Sequence, residues 1–244
     1  MIRVTRQIPA EQIQLLIFDL DGTLVDSKLD LAHAVNAMLR NYHRPELPTE
    51  VIGTYIGDGA PMLVRRALGD PDDDKFVKEA LEYFMTYYRA HKLENTYVYP
   101  GIAEQLEVFQ QHGLKMAVLT NKPVNPSRGI CEGLNLSQFF VQVYGGNSFE
   151  TKKPDPLGAL NLLQETGVPS GRAVMIGDSQ NDVLTAQNAG MWSIGVTYGF
   201  SPESLKIHLP DVLVDSPEEL AAALGLQTAA QSSRELPSGE GFVG

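Results

Sequence analysis

Leu15-Leu16-Ile17-Phe18-Asp19-Leu20-Asp21-Gly22-Thr23-Leu24-Val25-Asp26 is the stretch that decides the fold. A short apolar run stops at two carboxylates and a glycine. The run is too short to cross a membrane and lacks the three-to-four spacing of a surface helix. It reads as a strand buried on both faces, as in a parallel sheet. Open α/β sheets keep their ligand sites at the carboxyl ends of such strands, which is where Asp19 and Asp21 stand. Side chains two apart on extended chain point the same way, so both acids can face one pocket. Gly22 then allows the backbone to turn without a side chain in the way. Two acids so placed need a cation or a proton between them.

Outward from this strand, two patterns divide the chain. From Tyr99-Pro100-Gly101 onward, helical and strand patterns alternate. Helices are expected over 102–111, 126–134, 156–166, 182–188 and 217–224, and strands over 114–119, 139–144, 172–176, 192–196 and 212–214. Such alternation implies an α/β fold, a Rossmann-like parallel sheet with right-handed crossovers and helices on both faces. Residues 29–42, 51–56, 62–68 and 76–88 instead give consecutive helical patterns with no strand among them. Ser27 is the expected N-cap of the first. The triplet Asp72-Asp73-Asp74 suits a helix N-terminus better than a calcium loop. The domains expected are therefore a core of residues 1–27 and 93–226 and a helical insertion of residues 28–92. Residues 227–244, rich in Ser, Gly, Glu and Gln, read as a flexible tail.

Composition narrows the function. The 244 residues suit one large domain or a core carrying a smaller insert. A formal net charge of -11 argues against broad contact with nucleic acid or an anionic membrane. An anionic substrate must then be held by a few local positive groups. The single cysteine, Cys131, excludes a disulfide within the chain and reads as a buried thiol. Residues 1–14 lack an apolar signal core and no run reaches membrane-spanning length, so the cytoplasm is the expected compartment. The five histidines show no metal-binding spacing.

Polar residues recur where the strands end: Asp19 and Asp21, then Thr120 and Asn121, then Asp178 with Ser179 and Asp182. Lys152-Lys153-Pro154 lies between the last two sets. In a parallel sheet these ends open on one edge, so carboxylates, a lysine and small hydroxyl and amide groups would share a cleft. That set suits magnesium with a phosphate, because hard oxygen ligands favour magnesium and the lysine can hold phosphate oxygens. Each element alone has a plainer reading: a turn aspartate, a solvated lysine pair, an unremarkable strand-to-loop transition. The segment Asp19-Leu20-Asp21-Gly22 also loosely matches a calcium loop, but its glycine comes too early and a strand precedes it. The joint occurrence carries the case.

Asp19-Leu20-Asp21-Gly22-Thr23, Thr120-Asn121, Lys153-Pro154 and Gly177-Asp178-Ser179-Gln180-Asn181-Asp182 together resemble the four motifs of the haloacid-dehalogenase-like (HAD-like) hydrolases, over residues 13–225. Gly57-Asp58-Gly59-Ala60, Tyr99-Pro100-Gly101, Thr120-Asn121-Lys122-Pro123, Gly145-Gly146 and Lys152-Lys153-Pro154 resemble the bacterial phosphoglycolate phosphatases within that superfamily. The resemblance implies a Mg2+-dependent phosphatase acting on a small phosphate ester, 2-phosphoglycolate, as a monomer or homodimer. Asp19 is then the nucleophile that forms an aspartyl-phosphate, and Asp21 the general acid and later base, offering its backbone carbonyl to the metal. Asp19, Asp21 and Asp178 are the implied metal ligands, and Thr120 and Lys153 assist the chemistry. Asp182 and Ser179 are implied to orient this inner set, with direct ligation by Asp182 as the alternative. The helical insertion takes the place of a cap that closes over the cleft. In it, Gly57 and Gly59 would bring amides to a small carboxylate, and Arg65 and Arg66 are candidate partners for that carboxylate, with a solvated helix face as their plainer reading. Asn121 completes the implied substrate contacts.

Charge explains why so many groups are needed. At 4 Å and an effective dielectric of about 20, each pair of unit charges is worth roughly 4 kcal/mol. Ionised Asp19 and Asp178 with a phosphate dianion carry four negative charges, against three positive from magnesium and Lys153. Backbone N–H groups with Thr120 and Asn121 would supply the remainder. A sugar phosphomutase or sugar-phosphate phosphatase of the same superfamily is the alternative. A metal-free dehalogenase is disfavoured, because Asp21 and Asp178 would add only repulsion. A binding domain without turnover would not need a nucleophile.

Overall fold

The computed structural model describes residues 1–226; the expected tail, residues 227–244, lies outside them. The strands, in chain order, are β1 (Arg3–Val4), β2 (Leu15–Phe18), β3 (Val25–Asp26), β4 (Tyr97–Val98), β5 (Lys115–Leu119), β6 (Gln142–Tyr144), β7 (Ala173–Gly177), β8 (Trp192–Val196) and β9 (Val212–Val214). The helices are α1 (Lys28–Asn41), α2 (Thr49–Gly53), α3 (Ala60–Ala67), α4 (Asp74–His91), α5 (Ile102–Gln111), α6 (Val124–Gly133), α7 (Leu157–Thr166), α8 (Gln180–Ala189) and α9 (Glu219–Ala223). Seven strands form one sheet in the order β1-β9-β8-β7-β2-β5-β6.

β2 lies inside the sheet, parallel to β5 on one side and β7 on the other. Its four side chains are fully buried. Leu16 and Phe18 enter one core with Ile102, Phe109 and Ile130, while Leu15 and Ile17 enter a second with Leu162, Leu163 and Ala186. Alternate residues thus serve opposite faces, each covered by helices, which is why the run is apolar throughout. Burying each such side chain is worth about 1.5–3 kcal/mol.

The sheet is mixed, not purely parallel, because β1 pairs antiparallel with β9 at one edge. The expected strand over 139–144 is shorter, since Ser137–Phe139 forms a 3-10 turn before Gln142–Tyr144. Cys131 is buried and free, and burial pushes its thiol up to about 12.

Helices α1 to α4 occupy the chain between β3 and β4 and form a core of their own around Val35, Met38, Ile52, Val64, Phe84 and Tyr88. β3 and β4 pair with each other, Val25 opposite Val98, and so bring the two ends of this helical unit together. The Asp30 carboxylate accepts from the Asn95 and Thr96 backbone N–H groups, which ties the exit to the first helix. Asp73 caps α4 by accepting from Phe76 N at 3.0 Å. Ser27 sits at the N-cap position of α1 but does not cap it, contrary to the sequence expectation. Its hydroxyl donates to Asp21 instead, at 2.5 Å.

Candidate active site

Asp19, Thr120 and Asp178 each follow the last residue of β2, β5 and β7, three neighbouring parallel strands. The register places Phe18 beside Val118 and Ile176, so the three chains leave the sheet at one level. Asp19 N extends the ladder by donating to Ile176 O at 2.9 Å, and Thr120 N donates to Tyr144 O at 3.0 Å.

Lys153 reaches this edge from the loop after β6. Its Nζ lies 3.0 Å from Asp19 Oδ1 and 2.6 Å from Asp182 Oδ1, with the side chain 1% exposed. Asp19 Oδ1 also accepts from Leu20 N at 2.7 Å. One carboxylate oxygen of Asp19 is therefore held by two donors. Asp182 stands in the first turn of α8, and its Oδ2 accepts from Ser179 N and Oγ at 3.1 and 2.8 Å in a capping box. Both of its oxygens are thus committed. Gly177 is required beneath it, because a Cβ there would lie 2.1 Å from Asp182 Cγ. Asp178 Oδ2 accepts from Phe200 N and Ser201 N. Gly22, at φ 81, passes so close that a Cβ would stand 2.3 Å from that oxygen.

Asp19, Asp178 and Asp182 are all buried, and each offers a carboxylate oxygen within 4.8 Å of the others. Burial pushes Asp19 up to about 6 and Asp182 adds to it, against the pull of Lys153 and the Leu20 N–H. Asp178 is pushed up to about 8, by burial first and then by Asp182 and Asp19. Three clustered carboxylates with one ammonium, paired to Asp19 and Asp182, leave two negative charges without a partner when all are ionised. The donor set is therefore all oxygen and short of two positive charges, which fits a divalent cation such as magnesium. The sequence-level charge count omitted Asp182, which takes the shorter of the two Lys153 contacts.

Asp21 is not in this carboxylate cluster. Its oxygens accept from Ser27 Oγ and from Lys122 Nζ, the latter at 2.8 and 3.0 Å. Lys122 enters the sequence reading only as part of the stretch Thr120-Asn121-Lys122-Pro123, without a role of its own, yet its side chain is 5% exposed and its ammonium lies 4.6 Å from the Tyr88 ring centre. Burial alone would lower its pKa, but Asp21 and Tyr88 reverse this and raise it. Its signal was faint, a lysine directly after Thr120-Asn121 at a strand end.

A cavity joins these groups to the helical unit. Asp19, Asp21, Thr120, Asn121 and Lys122 line it from the sheet side, and Leu31, Ile56, Leu63, Phe84, Met85 and Tyr88 from the helices. Gly57 and Gly59 line it too. Gly57 meets the core through its carbonyl, which accepts from Asn121 Nδ2 at 2.9 Å. Asn121 Nδ2 also donates to Lys153 O, and the Asn121 Oδ1 has no hydrogen-bond partner among the described residues. Asp58 receives Asn181 Nδ2 at 2.9 Å, and its backbone carbonyl accepts from Lys152.

Arg65 and Arg66 do not line the cavity. Arg65 donates to Pro71 O at 2.9 Å and pairs with Asp74, because its position on α3 points it toward the start of α4. Arg66 is taken up by Tyr55 O and Asp58. The arginine expected to meet a substrate carboxylate is therefore absent from the cavity lining.

The model of the haloacid dehalogenase-like hydrolase family matches residues 16–196. The chain is 42% identical over 193 residues to a phosphoglycolate phosphatase of Pseudomonas savastanoi pv. phaseolicola, covering 77% of this chain and 71% of that protein. It is 37% identical to a phosphoglycolate phosphatase of Pseudomonas fluorescens over 249 residues, 96% of this chain and 89% of the relative. Among solved structures, a predicted phosphoglycolate phosphatase from Haemophilus somnus superposes with a TM-score of 0.81 at 30% identity, covering 86% of this chain and 97% of that one. The match spans every strand end that carries the buried acids and Lys153, and this chain belongs to the haloacid dehalogenase-like hydrolases.

Proposed function

We propose that the protein is a Mg2+-dependent phosphatase that hydrolyses a small phosphomonoester, 2-phosphoglycolate, to an alcohol and phosphate through an aspartyl-phosphate on Asp19. The observation that carries this reading is the buried cluster of Asp19, Asp178 and Asp182 at one sheet edge, with Lys153 paired to Asp19 and Asp182. Curated relatives at 42% and 37% identity bear the name phosphoglycolate phosphatase, which supports the substrate.

Asp19, Asp178 and the backbone carbonyl of Asp21 would hold the metal. Magnesium bound there supplies positive charge that offsets the approach of an anion to a dianion. Asp19, its Oδ1 held by Lys153 and Leu20 N–H, keeps its second oxygen for phosphorus. Lys153 with Thr120 and Asn121 would bind the phosphoryl oxygens where charge gathers. Asp21, positioned by Ser27 and Lys122, would take a proton from the attacking water as the ionised carboxylate of that ion pair, and would serve as acid toward the departing alkoxide only once it has itself taken up a proton. Asp182 and Ser179 fix Lys153 without touching the ester. Helices α1 to α4 act as a cap, resting on Asn121, Asn181 and Lys152 through the loop of residues 57–59. Closed, it keeps water from the ester until release.

The test is phosphate release from a panel of small phosphomonoesters, with magnesium and then with a chelator. Turnover that depends on magnesium and is highest on 2-phosphoglycolate is expected. Chelator-resistant turnover would remove the reading.

A further inference from the structure

Arg65 and Arg66 point elsewhere, so the cavity needs another partner for any charge on the alcohol half of the ester. Among the described lining residues Lys122 is the sole cation, and it belongs to the core. From the helical side the lining side chains are aliphatic or aromatic apart from the Met85 thioether, and Tyr88 is the one among them that carries a hydroxyl. Tyr88 is 1% exposed, and its hydroxyl has no hydrogen-bond partner among the described residues. A buried hydroxyl left unpaired costs on the order of 1–3 kcal/mol, so an unpaired one on a residue that lines a cavity points to a ligand. The ring is fixed by parallel stacking on Phe84, with centroids 5.8 Å apart and planes 6° from parallel. Lys122 stands between Asp21 and this ring, touching both. An ammonium has three donors, and the two Asp21 oxygens engage at most two of them.

We infer that Tyr88 and Lys122 together form a carboxylate subsite that sets the specificity of the proposed phosphatase for esters whose alcohol ends in a carboxylate. The inference rests on the phosphatase reading and adds the residues that select the substrate. Tyr88 comes from α4 and Lys122 from the loop after β5, so the subsite exists only when the helical unit sits on the core. A substrate carboxylate bridging the two would favour that closed arrangement, and an ester without one would not. The rest of the wall from the helical unit is apolar, which strengthens a charge-assisted contact there and leaves an unmatched polar end unpaired.

Tyr88→Phe is the discriminating variant, since it removes one oxygen and keeps the stacked ring. Its kcat/KM is compared with that of the wild type on 2-phosphoglycolate and on 2-hydroxyethyl phosphate, an ester of the same length with a neutral end. The wild type is expected to prefer 2-phosphoglycolate. In the variant that preference should fall by about tenfold, mainly through KM. The melting temperature should not fall, because the hydroxyl lost has no partner in the fold. An unchanged preference overturns the subsite while leaving the phosphatase reading in place. A marked loss of stability overturns it too, because the hydroxyl would then serve the fold. Failure of the wild type to release phosphate from either ester overturns the phosphatase reading and the subsite with it.

Discussion

Lys122 and Asp21 form a buried ion pair, with Nζ 2.8 Å from one carboxylate oxygen and the side chains 5% and 11% exposed. They are 101 residues apart in sequence and meet because β5 and β2 are neighbours in the sheet. Removing one partner from such a pair leaves a buried charge uncompensated, which typically costs about 3–5 kcal/mol. Lys122→Met is therefore expected to lower stability by about that amount in denaturant unfolding, and Asp21→Asn should recover part of the loss in the double variant. Strict additivity of the two single changes would show that the pair is not coupled.

Arg65 supplies the opposite case. Its guanidinium pairs with Asp74 and Asp70, outside the cavity, with the acids largely exposed. Arg65→Ala should leave kcat/KM on 2-phosphoglycolate within about twofold of the wild type, as exposed ion pairs contribute little. A tenfold rise in KM would place the arginine back in the substrate site.

These two residues mark where sequence reasoning reached and where it stopped. The central strand was legible because its burial on both faces leaves an unbroken apolar run from Leu15 to Phe18. Asp19, Thr120 and Asp178 were legible because parallel strands bring their ends to one edge whatever the side chains are. β1 has no such pattern, being two exposed residues held at the sheet edge by β9, and Arg3 pairs with Asp215 far along the chain. Lys122 carries no role in the sequence reading, because the ring that covers it, Tyr88, comes from a different unit of the chain. Arg65 and Arg66 are candidates by charge and by their place in the insertion, and neither determines which way a helix turns its faces. Ser27 sits where a cap belongs, but Asp21 takes its hydroxyl.

Asp19→Asn tests the nucleophile. The amide cannot attack phosphorus as a carboxylate does, so kcat should fall by more than about a thousandfold. The fold should persist, since Asn retains an oxygen for the Leu20 N–H that Asp19 Oδ1 accepts. Far-UV circular dichroism and the melting temperature check the fold, and a phosphate assay checks the chemistry. Turnover above a tenth of the wild-type rate would assign the nucleophile elsewhere.

The buried acids also set how stability responds to pH and to metal. Burial raises Asp19 to about 6 and Asp178 to about 8, both above the usual aspartate value near 3.8. Between those limits the folded protein holds more protons than the unfolded chain, so stability falls as pH rises. For an acid raised on folding, the stabilising contribution is complete below the unfolded value and is gone above the folded one. Chelator-treated protein should thus melt progressively lower from about pH 4 to pH 8, each kcal/mol lost moving the midpoint by about 2–4 °C for a chain of this size. Magnesium binds the ionised carboxylates of the folded state, so its stabilisation should grow over the same range. Asp178→Asn removes the larger rise, and it should flatten the pH profile of the chelated protein while abolishing most of the magnesium shift. Thermal melts at several pH values, with magnesium and with chelator, decide it: a chelated protein that gains stability toward pH 8 would mean that these acids are already ionised and paired without a metal.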